Sequence, residues 1–378
     1  MPALKGAGLA SRRVAADVLA RVEQGAWANA ALDAALARTT LSGPDRALAT
    51  ALVFGTLRRQ RACDWLVDEA LRREVELPVR IALRLGAYQL VFLGQPAYAA
   101  VSTAVATAPR RAAGLVNAVL RRIAAADERS WPSPAVELSY PDWIVERLFE
   151  DLGEPDALGA LGAMNEPGAA AIGAGGTHQD LASQWVAAAV PHPAGGIVVD
   201  LCAAPGGKAV AVGAGPSLVA AVERRPGRAR RLARRVRRDD GALAVLVADG
   251  RFPPLRPGVA DGVLVDAPCS GLGALRRRPD ARWRVDPGAP ARLSQLQREL
   301  LEGSVGLLRP GGTLVYSVCT LTRVETEGVD AWIADRFPSL RPLPRLGPPW
   351  QQRGRGEILL PQTAGTDGMF LLRVALPG

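Results

Sequence analysis

The sequence predicts a two-domain α+β chain, with an all-helical N-terminal half and a C-terminal α/β half built on a doubly wound, mainly parallel sheet. Three observations carry this expectation. Up to about residue 130 the apolar residues recur at helical spacing. From about residue 180 short apolar runs alternate with amphipathic segments, the pattern of strand–helix–strand units. Two of these runs deliver a cysteine just past their ends: Cys269 in Asp266-Ala267-Pro268-Cys269-Ser270-Gly271, and Cys319 in Tyr316-Ser317-Val318-Cys319-Thr320. That edge is where open α/β sheets gather their chemistry.

In the first half Val14, Val18, Leu19 and Val22 share one helical face. Ser42-Gly43-Pro44-Asp45 reads as a turn and cap before Ala47, Leu48, Ala51, Leu52 and Leu57. Ile81 through Phe92 makes a more buried helix, and Leu115, Val116, Val119, Leu120 and Ile123 another. Two prolines in Trp131-Pro132-Ser133-Pro134 end the bundle. One short helix follows over 141–149, then a Gly/Ala-rich loop over 168–176. In the second half strands are expected at 196–200, 217–222, 243–247, 262–266, 312–317, 356–360 and 369–374, and helices at 179–189, 206–212, 226–238, 290–307 and 323–335. The expected division is a helical domain over 1–130, a linker over 131–178 and an α/β domain over 179–378.

The 378 residues suffice for two cores, and a hydrophobic content of 48% fits no disordered class. No run approaches the ~20 apolar residues of a membrane span, and the first thirteen residues lack a signal-peptide core. Four cysteines (Cys63, Cys202, Cys269, Cys319) without a Cys-x-x-Cys pair, and two histidines (His178, His192), argue against metal and disulfides. The expectation is a cytoplasmic monomer without metal. A net charge of +9 and a pI near 10.2 favour a polyanionic partner, nucleic acid above all. Of 46 basic residues only Lys5 and Lys208 are lysine. A lysine kept in the interior of so arginine-rich a chain suggests a role that a guanidinium cannot fill.

Lys208 closes Leu201-Cys202-Ala203-Ala204-Pro205-Gly206-Gly207-Lys208, which follows the strand ending in Asp200. A strand, a carboxylate, small residues and glycines opening a helix is how such sheets build a nucleotide site. The P-loop pattern fails at Cys202 and Ala209, and Gly-x-Gly-x-x-Gly is absent. A nucleoside-type cofactor without a phosphate clamp remains, such as S-adenosyl-L-methionine. Glu223 ends the next strand, placed for ribose hydroxyls, and Asp249 follows the third, placed for the adenine amine.

Asp200 to Lys208, Asp266 to Gly271, and Ser317-Val318-Cys319-Thr320 with Glu325 together resemble the RNA 5-methylcytosine methyltransferases of the Sun/NOL/NOP family. Leu360-Pro361-Gln362-Thr363 with Gly365 to Phe370 is similar to that family's closing motif. Asp45-Arg46-Ala47-Leu48 and Phe54 to Arg59 resemble the RNA-binding NusB domain, and the pairing resembles the RsmB-type enzymes of small-subunit ribosomal RNA. The resemblance implies a Rossmann-like S-adenosylmethionine domain with Cys202 to Lys208, Glu223, Asp249 and Asp266 around the cofactor. It implies Cys319 as the nucleophile that adds to carbon 6 of cytosine, and Cys269 as the thiol that assists release. Asp266 is placed to hydrogen-bond the base. Lys208 either supports the same edge or lowers a thiol pKa by its charge. Carbon 5 of cytosine is too weak a nucleophile to attack a methylsulfonium, and a thiolate on carbon 6 makes it enamine-like.

A lone cysteine after a strand is usually a small buried hydrophobe, a reading that suits Cys63 and Cys202 but not the polar-flanked Cys269 and Cys319. The nine arginines between Arg224 and Arg238 read first as the solvated face of a helix whose buried stripe is Ala229, Leu232, Ala233 and Val236. Arg276, Arg277, Arg278, Arg282 and Arg284 read as better RNA contacts, with Trp283 as a base-stacking platform. The chain departs from the family in two places. Only Gly168 to His178 stands where the family carries a small RNA-binding module, and Thr326 stands where Asn follows the glutamate. Two rival readings stand beside rRNA methylation: the same chemistry on tRNA or another RNA, and an RNA-binding or ribosome-assembly factor with little turnover.

Overall fold

The computed structural model describes residues 8–126, 129–168, 171–172, 179–215, 217–236 and 242–378. Lys5, His178, Arg237, Arg238 and most of the stretch 168–178 lie outside the described residues. The chain divides into two compact units, Met1–Val145 with Arg278–Arg284, and Glu146–Arg277 with Val285–Gly378.

In the first unit α1 (Leu9–Glu23), α2 (Ala28–Leu36), α3 (Gly43–Arg58), α4 (Gln60–Ala70), α5 (Leu77–Ala87), α6 (Ala97–Thr107) and α7 (Ala113–Ala124) form the helical bundle. Ser42 caps α3 as expected, accepting from the Asp45 amide at 3.3 Å. Val18, Leu52, Leu83 and Leu120 are fully enclosed in one core, and Cys63 with them, its thiol pushed up by burial. A Cβ on Gly55 would fall 1.9 Å from Tyr88 Oη, so only glycine lets α3 lie against that ring. The helix expected to run through Phe92 stops being α-helical at Ala87 and ends in a π-helical turn, Tyr88–Phe92. Leu115, expected on the buried stripe of α7, is 37% exposed, while Val116, Val119, Leu120 and Ile123 are buried. The second proline of the Trp131–Pro134 break begins a helix rather than only ending one: Ser133 caps the single turn α8 (Pro134–Glu137), with Pro134 in its first turn.

The segment Arg278–Arg284 belongs to this unit and overturns a sequence expectation. Arg282 is 0% exposed rather than turned to RNA. Its Nη1 donates to the carbonyls of Arg58 and Ser139, each at 3.0 Å, and its guanidinium sits 3.9 Å from the Tyr140 ring centroid. Arg284 donates to the carbonyls of Gly25 (3.0 Å) and Ala26. Trp283 is half-buried with its indole nitrogen enclosed by protein, which makes it a poor stacking platform.

In the second unit α9 (Asp142–Leu152, which starts in the first unit), α10 (Glu154–Ala163) and α11 (Leu181–Ala188) precede the sheet. Its strands are β1 (Ile197–Asp200), β2 (Leu218–Val222), β3 (Leu243–Leu246), β4 (Ala260–Asp266), β5 (Leu308–Val318), β6 (Arg341–Pro342), β7 (Gln351–Arg353), β8 (Gly356–Leu359) and β9 (Met369–Ala375). Their order is β3-β2-β1-β4-β5-β9-β8-β7, with β6 paired to β9. The pairs from β3 to β5 are parallel, and those involving β9, β8, β7 and β6 antiparallel. Winding reverses at β1, the doubly wound, Rossmann-like layout. Four helices follow from the alternating pattern: α12 (Gly207–Gly213) against β2, α13 (Pro226–Val236) against β3, α14 (Ala289–Val305) against β4 and β5, and α15 (Glu327–Arg336) against α14. The single turn α16 (Pro361–Ala364) precedes β9. No helix among the described residues is long and apolar enough to cross a membrane.

Arg282→Met should lower stability by roughly 2–4 kcal/mol, since two buried carbonyls lose their donor and the ring loses its cation. Urea unfolding checks this, and an unchanged midpoint would remove Arg282 from the account of the first unit.

Candidate active site

The site lies at the carboxyl edge of β1, β4 and β5. Parallel pairing sets Asp266 beside Ser317. Cys269 and Cys319 therefore follow three and two residues beyond the same rung. Both are half-buried, and their sulfurs lie 3.4 Å apart. The hydrogen bond between them splits the pair. Cys319 is drawn below the ordinary thiol range, chiefly by Cys269, with help from the Lys208 charge. Cys269 is pushed well up by the same bond and by burial.

Lys208, in the first turn of α12, is buried, and its ammonium bridges Asp266 Oδ2 at 2.7 Å and Ser183 Oγ at 2.9 Å. Its pKa is raised: burial opposes the charge, but Asp266 outweighs it. Asp266 Oδ1 accepts from Ser317 Oγ at 2.8 Å. The two roles left open for Lys208 are thus compatible, since one ammonium holds Asp266 and also lies within electrostatic reach of Cys319.

The loop from Cys202 to Gly207 turns tightly between β1 and α12. Gly206 has φ +108°, and a Cβ there would fall 2.4 Å from Leu232 Cδ1; one on Gly207 would meet the Gln179 amide at 2.8 Å. Ala203 and Ala204 are buried and Pro205 is exposed. Cys202 is half-buried, not the core residue its surroundings suggested, and its amide donates to Asp200 Oδ1 at 3.1 Å. Asp200 is 2% exposed, and burial, then the Asp266 charge, push its carboxyl up to about 7. Glu223, just past β2, accepts from the Arg225 amide at 2.7 Å and lies 3.5 Å from Arg228. Asp249 follows β3 and takes a two-pronged bond from Arg251, at 3.1 and 2.8 Å, which holds it below the usual carboxylate range.

A buried frame fixes the two cysteine loops. Glu325 accepts from the Ser270 amide (2.8 Å), the Ser270 hydroxyl, Thr322 Oγ1 (2.8 Å) and Gln297 Nε2 (3.0 Å). Gln297 also donates to the Pro268 carbonyl at 3.0 Å. The helix expected over 323–335 is interrupted to serve this. Arg323–Glu325 forms a separate 3₁₀ turn that sends the carboxylate inward, and Thr326 Oγ1 donates back to the Thr322 carbonyl at 2.8 Å. The threonine in place of asparagine therefore has a partner within its own loop. Sequence reasoning named Glu325 but missed Gln297 and Ser183. Gln297 did leave a signal: with Ser294 and Ser304 it is a polar residue on the stripe of α14 that also carries Leu300 and Leu301.

The arginines expected to meet RNA are mostly committed to protein. Arg276 Nη1 and Nη2 donate to the carbonyls of Gly365 (2.9 Å) and Pro167 (3.2 Å). Arg277 pairs with Asp180 (2.7 Å) and Asp367 (3.2 Å). Of the five, Arg278 alone is exposed. On α13 the expected amphipathic split holds: Ala229 and Leu232 are buried, Ala233 and Val236 partly so, and Arg230, Arg231 and Arg234 are exposed, as are Arg224 and Arg225 just before it.

Fold and site together define a Rossmann-like methyltransferase with an N-terminal helical NusB domain. The 16S rRNA methyltransferase RsmB/F profile matches residues 188–375, and the NusB family profile residues 9–125. Ribosomal RNA small subunit methyltransferase B of Thermus thermophilus is 38% identical over 396 positions, covering 96% of this chain and 97% of that one. A putative methyltransferase of Mycobacterium tuberculosis is 36% identical, covering 95% of each chain. Its alignment runs over 439 positions, more than the 378 residues here, so that relative carries insertions this chain lacks. The crystal structure of the protein PH0851 shares the fold at TM-score 0.77 and 21% identity, over 96% of this chain and 98% of that one. The chain belongs to the RsmB/F family of 16S rRNA methyltransferases.

Two outcomes follow from the protonation states. Limiting iodoacetamide at neutral pH should label Cys319 ahead of Cys269, and Cys269→Ala should slow that labelling roughly tenfold by removing the bond that lowers the Cys319 pKa; peptide mass spectrometry reads both. Asp200, with its folded pKa raised from 3.8 to about 7, gives stability that is full below pH 4 and lost as pH rises through 7. Asp200→Asn should therefore gain on the parent protein between pH 5 and pH 8, by roughly 2–3 kcal/mol, in thermal unfolding at the two pH values.

Proposed function

We propose that this protein methylates carbon 5 of a cytosine in RNA, small-subunit ribosomal RNA, with S-adenosyl-L-methionine as methyl donor and Cys319 as covalent nucleophile. The observation that carries the reading is the Cys319–Cys269 contact beside the Lys208–Asp266 pair. A retired site has no physical need for a lowered thiol, a second thiol touching it and a buried lysine together. The names of the relatives support ribosomal RNA as the substrate.

The residues present fit the cofactor. Asp200, Glu223 and Asp249 bring acceptors to the ends of three adjacent parallel strands, suited to amino and ribose hydroxyl donors, while the tight Cys202–Gly207 loop lacks a phosphate-binding pattern. S-adenosylmethionine bound there supplies an electrophilic methyl group. On this reading the target base leaves its stack to enter the site. Asp266, held by Lys208 and Ser317, accepts a hydrogen bond from the cytosine amine. The Cys319 thiolate adds to carbon 6, and the displaced π electrons make carbon 5 nucleophilic. Once carbon 5 has gained its methyl group its proton passes to Cys269 acting as base; the electrons of that C–H bond restore the 5,6 double bond and expel the Cys319 thiolate. Cys269, in contact with Cys319, assists this release.

Protein incubated with labelled cofactor and protein-free small-subunit rRNA should form 5-methylcytosine, mapped by mass spectrometry of nuclease digests. No transfer to any RNA would sink the reading. Cys319→Ala should reduce methylation by on the order of 10³ or more. Cys269→Ala should instead accumulate a denaturant-stable RNA–protein adduct; free turnover without adduct would show that the division of labour between the thiols is wrong.

A further inference from the structure

We infer that the first unit carries a separate docking site for one unstacked nucleotide of the RNA, built on Trp27. The inference rests on the RNA-substrate reading and adds a contact outside the site of chemistry.

A cavity of about 200 Å³ is lined by Trp27, Asn29, Arg278 and Asp280. Trp27 is 55% exposed, although the Arg284 guanidinium already sits 4.2 Å from its ring centroid. Exposing so much of an indole costs burial energy, and a cation on the ring's π surface is the arrangement that binding sites for planar bases use. The walls are rigid. Asp280 is 4% exposed and its Oδ2 accepts from the Ala28 amide at 3.0 Å, just after Trp27. Arg284 is tied to the carbonyls of Gly25 and Ala26, just before it. Arg282 anchors the same segment in the core. Two lining groups are left over: the side chains of Asn29 and Arg278 are exposed and make no hydrogen bond or ion pair among the described residues.

The donor set selects the ligand class. An indole stacks on any base and so tolerates sequence, the Asn29 amide offers one donor and one acceptor to a base edge, and Arg278 suits a phosphate. Asp280 already accepts from the Ala28 amide and lies 3.8 Å from Arg284, so it shapes the wall rather than meeting the ligand. The cavity is smaller than the 300–1,000 Å³ of ordinary small-molecule pockets, which suits one ring system rather than a larger ligand. A chain of net charge +9 adds the long-range attraction for RNA.

The test uses the full-length protein and a single-stranded RNA carrying 5-iodouridine. Irradiation should crosslink the RNA to the peptide containing Trp27. Trp27→Ala should weaken binding of that RNA roughly tenfold and raise KM for rRNA in the methylation assay with kcat unchanged, and Trp27→Phe should recover most of the loss. Arg278→Gln should reduce the slope of log affinity against log salt by about 0.7, one phosphate contact on a single strand. Equal thermal midpoints show that the variants are folded. Methylation with no Trp27 crosslink and with unchanged KM in Trp27→Ala and Arg278→Gln would overturn the docking site and leave the proposed function standing. A crosslink without methylation would do the reverse.

Discussion

A single buried ammonium organises the methyl-transfer end of the sheet. Lys208 sits at the start of α12 and reaches Asp266 at the end of β4 and Ser183 on α11. Asp266 in turn holds Ser317 at the end of β5. Three acids crowd this region, and Asp200 resists ionising there. The Lys208 ammonium is the buried cation that pairs with one of them, Asp266. A flat guanidinium with five donors would need partners that this small space does not offer, which gives a physical reason why a chain so rich in arginine keeps lysine here.

Around that charge the two cysteine loops are held by contacts that only particular residues permit. The Gly273 amide donates to the Cys319 carbonyl at 3.0 Å, and the Gly368 amide to the Gly273 carbonyl at 2.8 Å. A Cβ on Gly273 would lie 2.4 Å from the Gly368 carbonyl oxygen, so three loops approach at backbone distance. Glu325 and Gln297 then tie the Pro-Cys loop to α14. The thiols stand in hydrogen-bond contact because their loops are tied to a common frame, and no disulfide joins them.

What was legible in the sequence follows the physics of burial. Strands buried on both faces read as apolar runs, so β1, β2, β4 and the core of β5 stood out. The chain from Leu308 to Gly312 did not, because Pro310 and Gly311 read as a turn, whereas the strand carries an irregularity there against Ala260 and Gly262. β6 and β7 are short and polar, and α10, with Gly159 and Gly162, has too weak a stripe to declare itself. The chemistry-bearing residues were readable because motif spacing and strand ends coincide. Most of the arginines after Pro-Cys, Arg278 excepted, were misjudged because sequence shows charge but not its partner: Arg282 looks like a surface cation and is among the most deeply buried side chains. Trp27 left no signal, since its exposure depends on a segment some 250 residues later in the chain.

The contact between Cys269 and Cys319 also bears on timing. A thiol that donates its proton to a neighbouring thiolate stays protonated for as long as that thiolate exists, and this is why Cys269 is pushed up while Cys319 is drawn down. In the proposed reaction, bonding to carbon 6 turns the Cys319 sulfur into a neutral thioether and removes the charge that held the Cys269 proton in place. Substrate capture thus removes the largest cause that holds the Cys269 proton, while its burial and the Glu325 charge remain. On that reading the two thiols act in order, the engagement of the first easing the ionisation of the second.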